Sequence, residues 1–205
     1  MNITHGTAMR PDILTASGFY FDYTKPFASI FGIVDIARHL SKICRFTGAT
    51  TSFYSVAQHC VIGSYVVPRN KALKFLLHDG GEFALGDVNR PLKALLPDYR
   101  AIEGPVDLAV ARHFDLDGDK DPDIKHVDLV MLATEKRDLM PRREVLEWSE
   151  DGLTPLLFGA ELREDWECID GYTPLPEVIV PLLPDDACRL FMRRYHEIVR
   201  GLAER

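Results

Sequence analysis

Cysteine is scarce. The 205 residues hold 4, Cys44, Cys60, Cys168 and Cys188, and no two of them form a Cys-x-x-Cys pair. That spacing argues against a disulfide frame or a zinc site, and the four are expected to be small buried hydrophobes. Long apolar runs are also missing, since no stretch approaches the roughly 20 residues that span a bilayer. Met1 to Gly6 show no basic segment leading into an apolar one, so no secretory signal is visible and the cytoplasm is the expected location. Positive charge is outnumbered, with 24 Lys and Arg against 31 Asp and Glu, a net charge of −7. A surface of that sign disfavours long nucleic acids. It leaves a small anionic substrate open, because a metal ion and one or two arginines can reverse the local field. Internal repeats, coiled-coil heptads, low-complexity tracts and domain boundaries are absent.

What is present is an apolar framework. Hydrophobic residues make up 46% of the chain, which argues against disorder, and the length allows one domain with a sizeable core. Helical spacing starts at Ile33, where Ile33, Ile36, Ala37, Leu40, Ile43 and Cys44 recur and Gly48 ends the run. Further helices are predicted over 53–67, closed by Pro68, and through the apolar stretch at Phe75. Others follow over 90–96, with Pro91 in its first turn, over 99–114 and over 122–139. A last helix follows Pro184, with Asp185 or Asp186 as its cap. Residues 1–32 read as an arm or short strands, and 141–184, with six prolines, as loops around the body. The expected fold is all-α: a helical bundle in one domain, 1–205, with its core at about 33–139 and a C-terminal helix at about 185–203. Asp115 to Asp123 resembles a calcium loop superficially. Glycine falls fourth instead of sixth and position twelve is His126, so a solvated acidic loop is expected.

Four side chains stand out against the apolar helices. Phe75-Leu76-Leu77-His78-Asp79 runs from a buried segment into a histidine and an acid. His59 lies within the preceding helix, and Asp128 lies on the core-facing stripe of a later one, between Ile124 and Met131. A buried carboxylate is costly unless it is paired or bound to a metal. Alone, His59 would be a satisfied core residue. Together, two imidazoles and two carboxylates form a mixed N/O set suited to Mn, Co, Fe, Ni or Zn, or with waters to Mg. Such a set leaves positions open for water and a phosphate oxygen. Glu82, three residues after Asp79, is placed to take a proton from an attacking water if the helix continues. Gly80 and Gly81 weaken that helix, so it can bend there. Asp87 follows Gly86, where the chain can turn. Its bland role is a helix cap. Its chemical role is to orient water or a sugar hydroxyl, or to protonate the leaving oxygen. Glu135, two turns beyond Asp128, is a candidate to stand behind the ligands.

The order His59, then His78-Asp79, then Asp128 in Val127-Asp128-Leu129-Val130-Met131 resembles the H…HD…D signature of the HD-domain metal-dependent phosphohydrolases. His78-Asp79-Gly80-Gly81-Glu82, Gly86-Asp87 and Pro91-Leu92-Lys93 are similar to the 5′-deoxyribonucleotidase branch, whose matching glutamate and aspartate are catalytic or position the substrate. Gly80-Gly81 departs from the small helix-forming residues common there. His39-Leu40-Ser41-Lys42-Ile43-Cys44-Arg45-Phe46 resembles the first helix of that branch, whose arginine holds the phosphate and whose next aromatic lies near the nucleoside.

The resemblance covers about 33–139 and implies an HD-type bundle with His59, His78, Asp79 and Asp128 on a divalent metal ion. It further implies Glu82 and Asp87 as catalytic groups and Arg45 and Phe46 as substrate contacts, while Lys93 is either solvated or within reach of the phosphate. The expected reaction is hydrolysis of a nucleotide phosphate ester, foremost a deoxyribonucleoside 5′-monophosphate. The alternatives are a dNTP phosphohydrolase, for example on dATP, and a metal- and nucleotide-binding regulator without turnover. The expected partner is a small-molecule nucleotide, with no long nucleic acid and no membrane, and the expected assembly is a homo-oligomer. His39, His113, His126 and His196 are expected to be structural.

Overall fold

A computed structural model describes residues 10–141 and 166–203. Much of the proline-rich stretch, including Pro155, lies outside these residues. The described chain is mostly helical. Its eight α-helices are α1 (Ile33–Leu40), α2 (Val56–Val66), α3 (Ala72–Leu76), α4 (Glu82–Leu85), α5 (Arg90–Leu95), α6 (Pro97–His113), α7 (Pro122–Leu139) and α8 (Pro184–Ala203). Ahead of them, β1 (Asp12–Leu14) and β2 (Tyr20–Asp22) form an antiparallel hairpin that pairs Ile13 with Phe21. No described helix is long and apolar enough to cross a membrane.

The hairpin is an anchored arm. Phe21 is fully buried, its ring edge-on to Phe31 and Phe83 at 5.6 and 5.1 Å. Asp35, in the first turn of α1, accepts hydrogen bonds from the backbone of Gly32 at 3.0 Å and Ser17 at 2.7 Å, capping the helix and tying the hairpin to it. His39 donates from Nδ1 to the Phe83 carbonyl and accepts from the Ala16 amide. It therefore joins hairpin, α1 and α4, the structural role expected of it.

α1 is shorter than its apolar spacing predicts and stops at Leu40 instead of Gly48. The next residues go to an extended bridge: Cys44 pairs with Ser55, Arg45 N–H bonds the Tyr54 carbonyl at 2.9 Å and Val56 N–H the Ile43 carbonyl at 3.1 Å. Cross-chain bonding thus overrides the helical period, and it lays Arg45 beside the start of α2. Ser55 caps α2 by accepting from the Gln58 amide. α2 is apolar on nearly all sides and is buried from Val56 to Val61. α8 packs across it with Ala187, Phe191 and Ile198 inward. Asp185 and Asp186 sit in the first turn of α8, which begins at Pro184, one residue earlier than expected.

Residues 175–182 form a strap over the bundle. Gln58 bonds the Val180 carbonyl and the Leu182 amide, while Arg137 and Asp138 bond backbone at Leu175, Glu177 and Ile179. The cysteine expectation holds only in part. Cys60 is buried, Cys44 and Cys188 are half-buried, and Cys168 is exposed in a short surface turn. The acidic loop is solvated as expected, with Asp121 capping α7 and Lys71 and Lys74 bridging to its carboxylates.

Candidate metal centre

α3 ends at Leu76, and His78-Asp79 lie in a tight turn before α4. The bend is where the paired glycines sit. A Cβ on Gly80 would come within 2.8 Å of the Leu77 carbonyl and of Val110, and one on Gly81 within 2.0 Å of an Asp107 oxygen. The turn keeps short-range bonds, Gly80 N to Leu77 O at 2.9 Å and Glu82 N to Asp79 O at 3.1 Å, and these bring His78 and Asp79 out under α2.

The tips of three proposed ligands, His59, His78 and Asp128, meet there, with Asp79 beside them. His59 Nε2 lies 3.4 Å from His78 Nε2, 3.6 Å from Asp128 Oδ1 and 3.8 Å from Asp79 Oδ2. His78 Nε2 lies 3.3 Å from Asp79 Oδ1 and 4.0 Å from Asp128 Oδ1. Atoms bound to one cation at roughly 2.0–2.2 Å lie within about 4.4 Å of each other, a limit the separations among His59, His78 and Asp128 satisfy; Asp79 turns a different oxygen to each histidine. The ligand atoms of His59, His78 and Asp128 lie mutually within 4.8 Å. Asp79 joins on the histidine side and shares its carboxylate with Arg45, 3.5 Å away.

The hydrogen bonds behind the imidazoles settle their tautomers. His59 Nδ1 faces Glu135 Oε1 at 2.6 Å, and His78 Nδ1 faces the Phe75 carbonyl at 2.7 Å. A carboxylate and a carbonyl only accept, so both Nδ1 atoms carry a proton, and each ring turns its Nε2 toward the other. Two imidazole nitrogens and two carboxylates turned toward one region are a mixed N/O donor set, so the residues fit a divalent metal. Asp128 is held ionised below the usual carboxylate range. Burial opposes its charge, and His78, His59 and Lys125 outweigh that. Glu135 is fully enclosed and likewise lowered: burial opposes its charge, but Arg45 and His59 outweigh it.

The surrounding groups sort by charge. Arg45 bonds Glu135 at 3.0 Å, and its Nε is buried without a partner. Burial works against its charge, but Glu135 and Asp79 keep it protonated. Glu82 is buried, with Oε2 unpartnered, and its carboxyl is pushed well up by burial and then by Asp79 and Asp87. Asp87 follows Gly86, which holds a φ of 77° that a side-chain-bearing residue resists. It is raised by burial first, with Arg45 opposing and Asp79 adding. Capping of α5 falls to Asn89, so Asp87 is spared that role. Lys93 is ion-paired to Glu103 and lies 5.8 Å from the Tyr99 ring. Phe46 lies beside Arg45, whose guanidinium is 5.2 Å from the ring.

Tyr99, Glu103 and Cys60 also lie close to these groups. Tyr99 and Glu103 stand one helical turn apart on α6, a spacing that could have been noticed; burial raises the Tyr99 hydroxyl to about 12. Cys60 neighbours His78 and Asp79, but burial and the nearby carboxylates push its thiol well up, away from the thiolate a metal binds. A cleft of about 1040 Å³ opens on His78 and Asp128, floored by Leu77, Leu108 and Ile124.

No family model matches the chain. Over 188 residues, 91% of this chain and 94% of its counterpart, it is 37% identical to the uncharacterized protein YfdR of Escherichia coli K12. Over 110 residues, 49% of this chain and 56% of the other, it is 33% identical to an uncharacterized protein of Rhodobacter capsulatus. The chain belongs to the family of YfdR.

Proposed function

We propose that this protein is an HD-type, metal-dependent phosphohydrolase acting on a nucleotide phosphate ester, foremost a deoxyribonucleoside 5′-monophosphate. The observation that carries this reading is the pair of facing Nε2 atoms, 3.4 Å apart, flanked by Asp79 and Asp128 with Arg45 alongside. His59, His78, Asp79 and Asp128 would hold the ion. When bound there, a divalent cation supplies Lewis acidity toward a phosphoryl oxygen.

The chain's own groups do the rest. Arg45 binds the phosphate through its fork of donors, one of which is buried and unpartnered. Glu82, whose raised proton affinity suits a general base, takes a proton from the attacking water. Asp87 orients that water or a sugar hydroxyl. The cleft at His78 and Asp128 gives the reacting centre a path to solvent. Arg45, Lys93 and Lys125 are each already paired with a carboxylate, as is Lys74, which with Lys120 also lines the cleft. That pairing favours a monophosphate over a triphosphate. Phosphate release from a panel of nucleotides with added Mn or Co tests the reading. Orthophosphate plus nucleoside is the expected product pair; no release with any metal would overturn it.

A further inference from the structure

Phe46 and Thr47 both hold left-handed backbone conformations, at φ 56° and 55°, and Gly48 follows at 83°. Such a turn is costly for an aromatic and more so for a β-branched residue, and strain of this kind gathers at functional sites. Three bonds hold it in place: Arg45 N–H to the Tyr54 carbonyl at 2.9 Å ahead of it, Ala49 N–H to the Phe46 carbonyl at 3.0 Å across it, and Asn89 to the Thr47 hydroxyl at 3.3 Å within it. Its consequence is to lay the Phe46 ring against Arg45, whose guanidinium also reaches Asp79. A second ring arrives from the far end of the chain. Trp166 lies 5.7 Å from Phe46, centroid to centroid, inclined at 42°. Lys136 lies 5.8 Å from the indole. Core rings such as Phe21 and Phe75 are sealed from solvent, whereas Phe46 and Trp166 are each half-buried and keep accessible surface.

We propose that Trp166 extends the Phe46 substrate contact into a stacking platform for a planar heterocyclic base, and that Trp166 is a residue by which this protein prefers nucleotides to bare sugar phosphates. This aromatic wall begins at the arginine of the metal centre, and the surface that Phe46 and Trp166 leave accessible asks no particular hydrogen-bond pattern of a base. Stacking of this kind tolerates every base. The proposal rests on the phosphohydrolase reading only for the position of the phosphate.

The test compares deoxyadenosine 5′-monophosphate with deoxyribose 5-phosphate. The chain has two tryptophans, so the difference in fluorescence between wild type and Trp166→Phe isolates Trp166. Quenching of that signal by the nucleotide and not by the sugar phosphate is expected. In the metal-loaded protein, Trp166→Ala should lower the kcat/KM preference for the nucleotide over the sugar phosphate about tenfold, mainly through KM, while Trp166→Phe keeps most of it. Equal losses on both substrates would reduce Trp166 to a structural residue, and an unchanged preference without quenching would remove the platform. If wild type hydrolyses neither compound with Mn or Co, the phosphohydrolase reading fails, and the binding titration alone then decides the platform.

Discussion

His59 donates from Nδ1 to Glu135 Oε1 across 2.6 Å, joining α2 to α7 at a point where both side chains are closed to solvent. This bond fixes which imidazole nitrogen is free, and the second Glu135 oxygen holds Arg45. Glu135→Gln should therefore weaken Mn or Co binding about 10–100-fold, the usual cost of losing a partner behind a ligand. Calorimetric titration of metal into the variant checks it, with circular dichroism to establish that the fold persists.

Metal binding should appear in stability. At a hundredfold excess over Kd, binding adds about 2.7 kcal/mol, which for a chain of this size raises Tm by about 5–10 °C. Asp128→Asn should abolish that shift in a thermal melt. The variant should also lose the His59 and His78 interactions that hold Asp128 ionised.

Glu82 separates catalysis from metal binding. Glu82→Gln should remove phosphate release yet leave metal affinity within a fewfold of wild type. A stability signature accompanies it. Burial, Asp79 and Asp87 raise the folded-state pKa of Glu82 above its unfolded value of about 4.3, so folding favours its protonated form. Stability of the metal-free protein should then fall as pH rises from about 4.3 through the folded value, and Glu82→Gln should be spared that part of the loss. Urea melts across this range measure it.

Asp35 gives the opposite sign, away from the centre. Burial would raise it, but bonds from Ser17 and Gly32 outweigh burial and hold it below the ordinary carboxylate range. Its stabilisation is complete above the unfolded value of about 3.9 and is lost as pH falls through the folded one. Asp35→Ala should cost about 1–2 kcal/mol at neutral pH. The gap to wild type should narrow in melts below about pH 4.

Two glycines should respond differently. A Cβ at Gly63 would lie 2.0–2.9 Å from the Phe75 ring, which is locked in the core against His59 and His78, so Gly63→Ala should cost about 1–3 kcal/mol and weaken metal binding. A Cβ at Gly81 meets chiefly an oxygen of Asp107, an exposed side chain free to swing away, so Gly81→Ala should be mild. Denaturant melts of the pair decide it.

Much of this architecture could be read from the chain. α2, α6 and α7 are bounded by Ser55, Pro97 and Pro122, and their limits fall within a few residues of those expected, α6 running on through Pro105. His59, His78, Asp79 and Asp128 were visible because each is a polar group on an apolar helix, or at the end of one. The errors arise where long-range bonding overrides local pattern. α1 gives up its last turn to the bridge between Cys44 and Ser55, and α3 stops at Leu76, ahead of a tight turn in which Gly80 comes close to the Leu77 carbonyl and Val110. Trp166 carries no local signal at all; its meeting with Phe46 joins residues 120 apart in sequence, and only the folded chain shows it.

The most direct test is a crystal grown with Mn or Co and measured at a wavelength where that ion scatters anomalously. A single peak about 2.0–2.3 Å from His59 Nε2, His78 Nε2 and oxygens of Asp79 and Asp128 is the expected result. No peak there at saturating metal, or a peak held by other residues, would contradict it.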